Sequence, residues 1–221
     1  PHYGERWARH WLDLTRYCDV PEPWGQMDAQ AWLYRDWVVE ALNRDLPYPR
    51  FITLQLAADQ VPDASPRDLA ALGFVGLSPS YWKELKLAPD VIKTVVAEEW
   101  EERIHTVSGS LLALTVACAR CHDHKSDPIS MRDYYGLAGV FASVRQVARP
   151  LLPPAEGEAV LQARARVKAL EEEAAKLEGQ PAGAGKAEAA RKREEAAAIR
   201  RDTPHFNVPI AYAVDDASVH V

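Results

Sequence analysis

The feature that most constrains this chain is a pair of cysteines separated by two residues and followed at once by a histidine. These residues are Cys118, Cys121 and His122. The spacing is that of c-type haem attachment, in which each thiol bonds one porphyrin vinyl group and the adjacent imidazole binds iron. Only three cysteines occur in 221 residues, and two of them lie in this motif. The sequence therefore predicts covalent haem on Cys118 and Cys121, with His122 as the proximal ligand.

Three other interpretations of the motif remain open. A structural zinc site uses the same donor atoms, with His122 or His124 beside the two thiols, but it needs four closing ligands. No second Cys-x-x-Cys or His-x-x-x-His is visible to complete it. A redox dithiol of the thioredoxin kind expects a βαβ setting that the flanking residues do not offer. The last alternative is a cysteine pair that binds nothing.

The first helix carries a second candidate ligand. Residues 4–18 have an apolar stripe at helical spacing, made of Trp7, His10, Trp11, Leu14 and Cys18. This spacing predicts that His10 lies inward among aromatic side chains. Such a histidine is either hydrogen-bonded in the core or a ligand, and a haem iron offers a second axial position.

The rest of the first 150 residues is predicted to be mainly helical. Apolar periodicity and proline positions predict helices at about 29–43, 50–59, 66–73, 90–116 and 131–144. Ser130 is the expected N-cap of the last of these, with Asp133 in its first turn. The apolar run Leu111–Ala117 is expected to be a buried helix that leads into the cysteines. His105 and Met131 are further possible ligands, for which a surface or packing role is favoured.

The character of the sequence changes after Pro150–Pro154. Residues 151–203 show a 3-4 apolar repeat, a Gly/Pro/Ala turn at 179–185 and a charged, alanine-rich segment. This pattern predicts an antiparallel helical hairpin. Residues 204–221 contain the alternating segment Val208–Val214, typical of a strand. Because one strand is not stable alone, it is expected to pair with protein outside this sequence. The predicted domains are thus 1–150, 151–203 and 204–221.

Composition limits the partners and the compartment. The formal net charge of −6 does not favour a nucleic-acid partner, and no apolar run is long enough to span a bilayer. The chain begins without methionine and is interpreted as a fragment of a longer protein. Because haem is normally attached outside the cytoplasm, the haem interpretation implies a periplasmic or otherwise exported protein.

Three stretches together resemble a known family. They are Gly4–Asp13, then Tyr34–Val38 with Asn43–Tyr48 and Gln55–Ala57, and finally Gly109–Tyr135 with its Cys-Ala-Arg-Cys-His-Asp-His-Lys sequence. The chain resembles the second planctomycete cytochrome domain, a cytochrome-c-like family of unknown function found in large multidomain proteins. The resemblance implies haem attachment to Cys118 and Cys121 and proximal ligation by His122. It also draws attention to His10 and His124, and the chain departs from the expected pattern at Ser126 and His105.

We therefore expect a mainly α, irregular multi-helix cytochrome-c-like domain with an appended helical hairpin and a C-terminal strand. The expected function is electron transfer with other domains of the same polypeptide or with a redox protein. His10 is the expected distal ligand, and His124 is expected to bond a haem propionate or to orient the motif. The alternative is an interaction or scaffold module whose motif holds zinc or nothing. A haem enzyme with an open iron position is less favoured, because no acid-base arrangement is visible.

Overall fold

The computed structural model describes residues 2–20, 27–81, 86–179 and 185–217. Within them the protein is mainly helical, as predicted, and it has one small antiparallel sheet. The α-helices are α1 (Tyr3–Leu14), α2 (Trp32–Asn43), α3 (Tyr48–Ala57), α4 (Gly73–Gly76), α5 (Pro89–Leu112), α6 (Met131–Ala142), α7 (Pro154–Glu178) and α8 (Lys186–Asp202). Short 3₁₀ helices span Ala58–Gln60, Pro66–Leu72 and Val116–Arg120, and the strands are β1 (Val144–Pro150) and β2 (Ile210–Asp216).

The chain forms two compact units. The first comprises residues 1–149 together with 210–221, and the second comprises residues 150–209. Residues 204–209, which the sequence interpretation grouped with a following region, therefore belong with the hairpin. In the described part of the chain, none of the helices is long and apolar enough to cross a membrane.

In the first unit, α1 packs against α2 through its smallest residues. Gly4 and Ala8 are the buried residues of α1, and the Gly4 N–H donates to Asn43 Oδ1 at 2.8 Å. A Cβ at Gly4 would overlap the carbonyl oxygen of Val39, so only glycine allows this approach. The expectation that His10 lies inward was wrong. Gly4 and Ala8 face α2 because their small side chains allow the two helices to approach closely. His10 is not on this face of α1, and its side chain is exposed.

A hydrogen-bonded aromatic cluster fills the centre of the first unit. The indole N–H of Trp11 lies 2.9 Å from Gln55 Oε1 and 3.0 Å from the Tyr34 hydroxyl oxygen. The Tyr34 hydroxyl donates to the same Gln55 oxygen at 2.7 Å. Tyr34 and Gln55 are almost completely buried, so these bonds satisfy polar groups that would otherwise destabilise the core. Burial raises the pKa of Tyr34 far above its ordinary value, which keeps its hydroxyl protonated as a donor.

The expectation of a buried helix over Leu111–Ala117 was wrong. The helix α5 ends at Leu112, and Ala113 adopts a left-handed conformation with φ of 55°. The Leu114 N–H then donates to the Ser108 carbonyl at 3.1 Å, which satisfies one of the last carbonyl groups of the helix. Leu112 is 62% exposed as a result. The left-handed residue ends the helix, and the 3₁₀ helix that contains Cys118 begins three residues later, at Val116.

The C-terminal strand has its partner within this sequence. β2 pairs with β1 in a two-stranded sheet, so the expectation of a partner outside the sequence was wrong. β1 was missed because its sequence lacks a clear alternation of polar and apolar residues, and most of Val144–Pro150 is half-buried, with Arg145 exposed and Pro150 buried. The first four residues of β2 are buried, which explains its apolar sequence.

The second unit is an antiparallel pair of helices. Its interior contains Val167, Leu170 and Ala196, against which Ile199 and Phe206 pack. Ion pairs cross between α7 and α8, and they join Arg166 to Glu195, Glu171 to Arg200, Glu173 to Lys192, and Glu178 to Arg193. Exposed pairs of this kind add little stability, but they favour one register of the two helices. Within the predicted turn at 179–185, residues 180–184 lie outside the described residues.

Candidate functional site

The cysteine motif lies on a short segment that packs against α5 and α6. In the 3₁₀ helix Val116–Arg120, the buried residues are Val116 and Ala119. Ala119 is completely buried, whereas Cys118 and Cys121 are exposed free thiols. The side chain of Ala119, the first of the two residues between the cysteines, therefore points into the protein. Both cysteines remain exposed.

Arg120, the other intervening residue, is tied to both supporting helices. Its guanidinium donates to Glu101 on α5 at 2.5 Å, and its carbonyl accepts a bond from the Tyr135 hydroxyl on α6 at 3.2 Å. The bond to Glu101 raises the pKa of Arg120 above its usual range. The Tyr134 hydroxyl also donates weakly to Glu101 at 3.4 Å. These contacts fix the position of the backbone that separates the two cysteines.

The adjacent histidine has one ring nitrogen engaged and one available. His122 is exposed, and its Nδ1 lies 2.8 Å from the carbonyl oxygen of Asp123. A carbonyl oxygen only accepts hydrogen bonds, so Nδ1 must carry the proton in this contact. The neutral imidazole then presents an unshared electron pair on Nε2. A backbone carbonyl that accepts from one nitrogen while the other binds metal is the usual arrangement of a ligating histidine.

His124 instead holds the loop that follows the motif. Its Nδ1 accepts bonds from the backbone N–H groups of Ser126, at 3.2 Å, and Asp127, at 2.9 Å. Its Nε2 lies 3.2 Å from Thr115 Oγ1. Since Nδ1 accepts two bonds, the proton belongs on Nε2, and the 3.3 Å contact with the Asp127 carboxylate is not a charged pair. With both nitrogens occupied, the arrangement gives His124 an orienting role.

The start of α6 closes this loop. Asp123 accepts the Met131 N–H at 2.8 Å, and Ser130 with Asp133 forms a capping box, which confirms the predicted N-cap. Bonds from the Ser130 N–H and hydroxyl lower the pKa of Asp133 below its ordinary value. Residues 123–133 are therefore held by local polar contacts on both sides of the turn.

Comparison with known families shows to which family the chain belongs. Residues 1–146 match the family model PSCyt2, described as a protein of unknown function (DUF1549). The chain belongs to the PSCyt2 family. The matched region contains α1 to α6, together with the whole cysteine motif. Searches of curated proteins and of solved structures found no match.

His10, the expected distal ligand of this PSCyt2 domain, lies in a different environment. His10 lines an aromatic groove of about 550 Å³ between α1 and the segment from the end of α2 to α3. Its ring centroid is 5.5 Å from that of Trp7. Cys118, Cys121 and His122 are not among the groove residues. The structure thus brings the motif residues together and places His10 in a separate groove.

The distribution of metal-binding side chains bears on the zinc alternative. Among the described residues, no group of three or more His, Cys, Asp or Glu side chains is arranged to hold a metal ion. Zinc requires about four such ligands in a structural site. A c-type haem is different, because its cysteines bond the porphyrin and only histidine approaches the iron. The motif supplies the two thiols and the imidazole that a c-type haem would use.

Sequence reasoning missed the residues that support the motif. Glu101 and Tyr135 lie far from the cysteines along the chain, and each contacts Arg120. A glutamate within a long helix is normally solvated, so nothing in its local sequence indicates this contact. Their role depends on how α5 and α6 pack around the 3₁₀ helix.

Proposed function

We propose that this PSCyt2 domain carries one covalently attached c-type haem and transfers electrons. The observation that supports this most strongly is the joint exposure of Cys118, Cys121 and the His122 imidazole on a backbone held by Glu101 and Tyr135. When bound, haem supplies an iron that alternates between ferrous and ferric states. Cys118 and Cys121 would hold it by thioether bonds, and His122 would be the proximal ligand.

The protein's own residues prepare the site in two ways. The Asp123 carbonyl orients the His122 ring and keeps the proton on Nδ1, which leaves Nε2 free. His124 and the capping box of α6 hold the loop that contains this carbonyl. A preorganised ligand of this kind needs little reordering when iron binds.

The cellular setting follows from the same proposal. Haem attachment to cysteines places the protein in the periplasm or another exported compartment. The resemblance to the second planctomycete cytochrome domain favours a place within a larger multidomain protein. The electron partner would then be another domain of the same polypeptide or a separate redox protein.

The experiment is a visible absorption spectrum of protein exported through a c-type cytochrome maturation system. A Soret band that shifts on reduction and survives denaturation is expected for the wild type and for Cys18→Ala. The same band should be absent from the Cys118→Ala, Cys121→Ala double variant. A colourless wild-type protein from a host that matures a control cytochrome would refute the proposal.

A second set of variants addresses the axial ligands. His122→Ala should abolish or strongly alter the low-spin spectrum, because it removes the proximal nitrogen. His10 stays a prediction as the distal ligand, and His205→Ala, at an exposed histidine of the second unit, is its control. Conversion from low-spin to high-spin in His10→Ala alone would support that ligation, whereas an unchanged spectrum would remove His10 from the iron site.

A further inference from the structure

The aromatic groove beside α1 has features that the proposed haem function does not use. Its walls include Tyr3 and Trp7 from α1 and Tyr48 from α3, which are 60%, 47% and 56% exposed. Large aromatic side chains bury extensive apolar surface when a partner covers them, so their exposure together marks a candidate binding site. The volume of about 550 Å³ is within the range of small-molecule sites.

The floor of the groove is rigid. Trp11 forms part of it, and its indole N–H is fixed by the bonds to Tyr34 and Gln55. Phe51 meets the Trp11 ring edge-on, with the ring centroids 5.0 Å apart. Gly4 holds α1 close to α2, which fixes the spacing of the walls. The groove is thus formed before any ligand arrives, and this reduces the entropy cost of binding.

The rings of the wall meet at angles. The Tyr3 and Trp7 centroids are 6.1 Å apart with planes inclined by 44°, and Trp7 and His10 are inclined by 53°. Rings inclined in this way form adjoining walls and do not stack into a closed column. The face of an aromatic ring carries partial negative charge and attracts cations.

A carboxylate adds to this negative character. Asp45 lines the groove, and its backbone has a left-handed φ of 52°. Within the described residues its carboxylate has no hydrogen bond or ion pair. The neighbouring Arg44 is directed to Asp68 instead, at 3.3 Å. Among the described groove residues, none is lysine or arginine.

We propose that this groove binds an organic cation that carries a quaternary or methylated ammonium group. Such a cation combines methyl groups that pack on Trp7, Tyr3 and Tyr48 with a positive charge that the ring faces and Asp45 attract. Aromatic walls together with a carboxylate are the typical recognition device for this chemistry. Cys118, Cys121 and His122 do not line the groove, and the proposed contacts use Trp7, Tyr3, Tyr48 and Asp45, so the inference does not rest on haem attachment or on ligation by His10.

The test is calorimetric titration of the full chain with choline chloride, against 3,3-dimethylbutan-1-ol as a neutral molecule of nearly the same shape. We expect one choline per chain and at least about tenfold weaker binding of the neutral alcohol. Sodium chloride at matched concentration controls for ionic strength. Equal affinity for both molecules, or no binding of choline at high millimolar concentration, would overturn the proposal.

Matched variants assign the binding to the groove. Trp7→Ala and Asp45→Asn should each weaken choline binding about fivefold or more. Asparagine tolerates the left-handed conformation, so Asp45→Asn removes charge without backbone strain. The controls are Trp32→Ala, at an exposed tryptophan outside the groove, and Asp13→Asn on α1, which should both bind as the wild type does. Wild-type affinity in Trp7→Ala and Asp45→Asn, with normal circular dichroism, would overturn the assignment.

Discussion

At the scale of the residue, neighbouring histidines of the motif have different chemical states fixed by their hydrogen bonds. His122 donates from Nδ1 to a carbonyl, whereas His124 accepts at Nδ1 from two backbone N–H groups. The sequence alone gives both residues the same status as candidate ligands. The distinction comes from the turn at Asp123–Ser130, which brings backbone donors to one ring and an acceptor to the other.

The role of His124 can be tested by substitution. His124→Leu removes the acceptor for the Ser126 and Asp127 N–H groups, and it should lower the free energy of unfolding by about 1–2 kcal/mol. His124→Asn places a carbonyl oxygen near the Nδ1 position and should lose less than half as much. Urea unfolding measures the difference, and hydrogen exchange over residues 123–130 locates it. Equal losses in the two variants would contradict the orienting role.

Asp68 gives a pH-dependent prediction. Burial alone would raise its pKa, but bonds from Trp37 Nε1, the Ser65 hydroxyl and N–H, and Arg44 outweigh burial and lower it. Because the folded-state pKa lies below the unfolded value, the ionised carboxylate stabilises the fold above the unfolded pKa. This stability is lost as pH falls through the folded pKa.

The measurement is the free energy of unfolding from about pH 6 down to about pH 2, a range that brackets the ordinary aspartate pKa. Wild type should lose stability in acid more steeply than Asp68→Asn, which has no carboxylate to protonate. Asp13→Asn, at an exposed position, should follow the wild type. Parallel curves for wild type and Asp68→Asn would show that these hydrogen bonds do not depress the pKa.

At the scale of the element, two glycines that both lie within helices have opposite consequences. A Cβ at Gly4 would meet Val39 and Asn43, whereas a Cβ at Gly139 on α6 would have no atom within 4 Å. Gly4→Ala should therefore destabilise the protein by about 1–3 kcal/mol through overpacking. Gly139→Ala should stabilise it by about 0.5–1 kcal/mol, because alanine is the better helix former.

Thermal and urea unfolding of these alanine variants provide the comparison, with circular dichroism to confirm the helical content of each. Gly136→Ala is a second control, since a Cβ there is also unobstructed. An equal change in stability at Gly4 and Gly139 would contradict this account, because helix propensity acts in the same direction at both positions and only the α1–α2 contact distinguishes them.

The elements also show how far sequence reasoning reaches. The N-cap at Ser130, with Asp133 in the first turn, is a local signal, and it was predicted correctly. The buried face of α1 was not predicted correctly, because Gly4 and Ala8 contribute little to an apolar pattern that Trp7 and Trp11 dominate. The left-handed end of α5 at Ala113 was missed because alanine is the strongest helix former and gives no signal of a stop.

At the scale of the whole molecule, the mainly helical class and the C-terminal strand were predictable. The helices show apolar residues at helical spacing, and the strand segment shows a short apolar alternation. The pairing of β1 with β2 was not predictable, because more than fifty residues of hairpin separate these strands in sequence. The cysteine motif was found from its spacing alone. Its support by Glu101 and Tyr135, and the separation of His10 into an aromatic groove, depend on tertiary packing that no local pattern records.

The intact mass of the denatured protein, purified after export through a c-type cytochrome maturation system, tests the central claim most directly. The account predicts a species heavier than the polypeptide by one haem, in the wild type and in Cys18→Ala. Cys118→Ala, Cys121→Ala should have the mass of the polypeptide alone. An unmodified mass for the wild type, from cells in which a control cytochrome is fully loaded, would contradict covalent haem attachment at this motif.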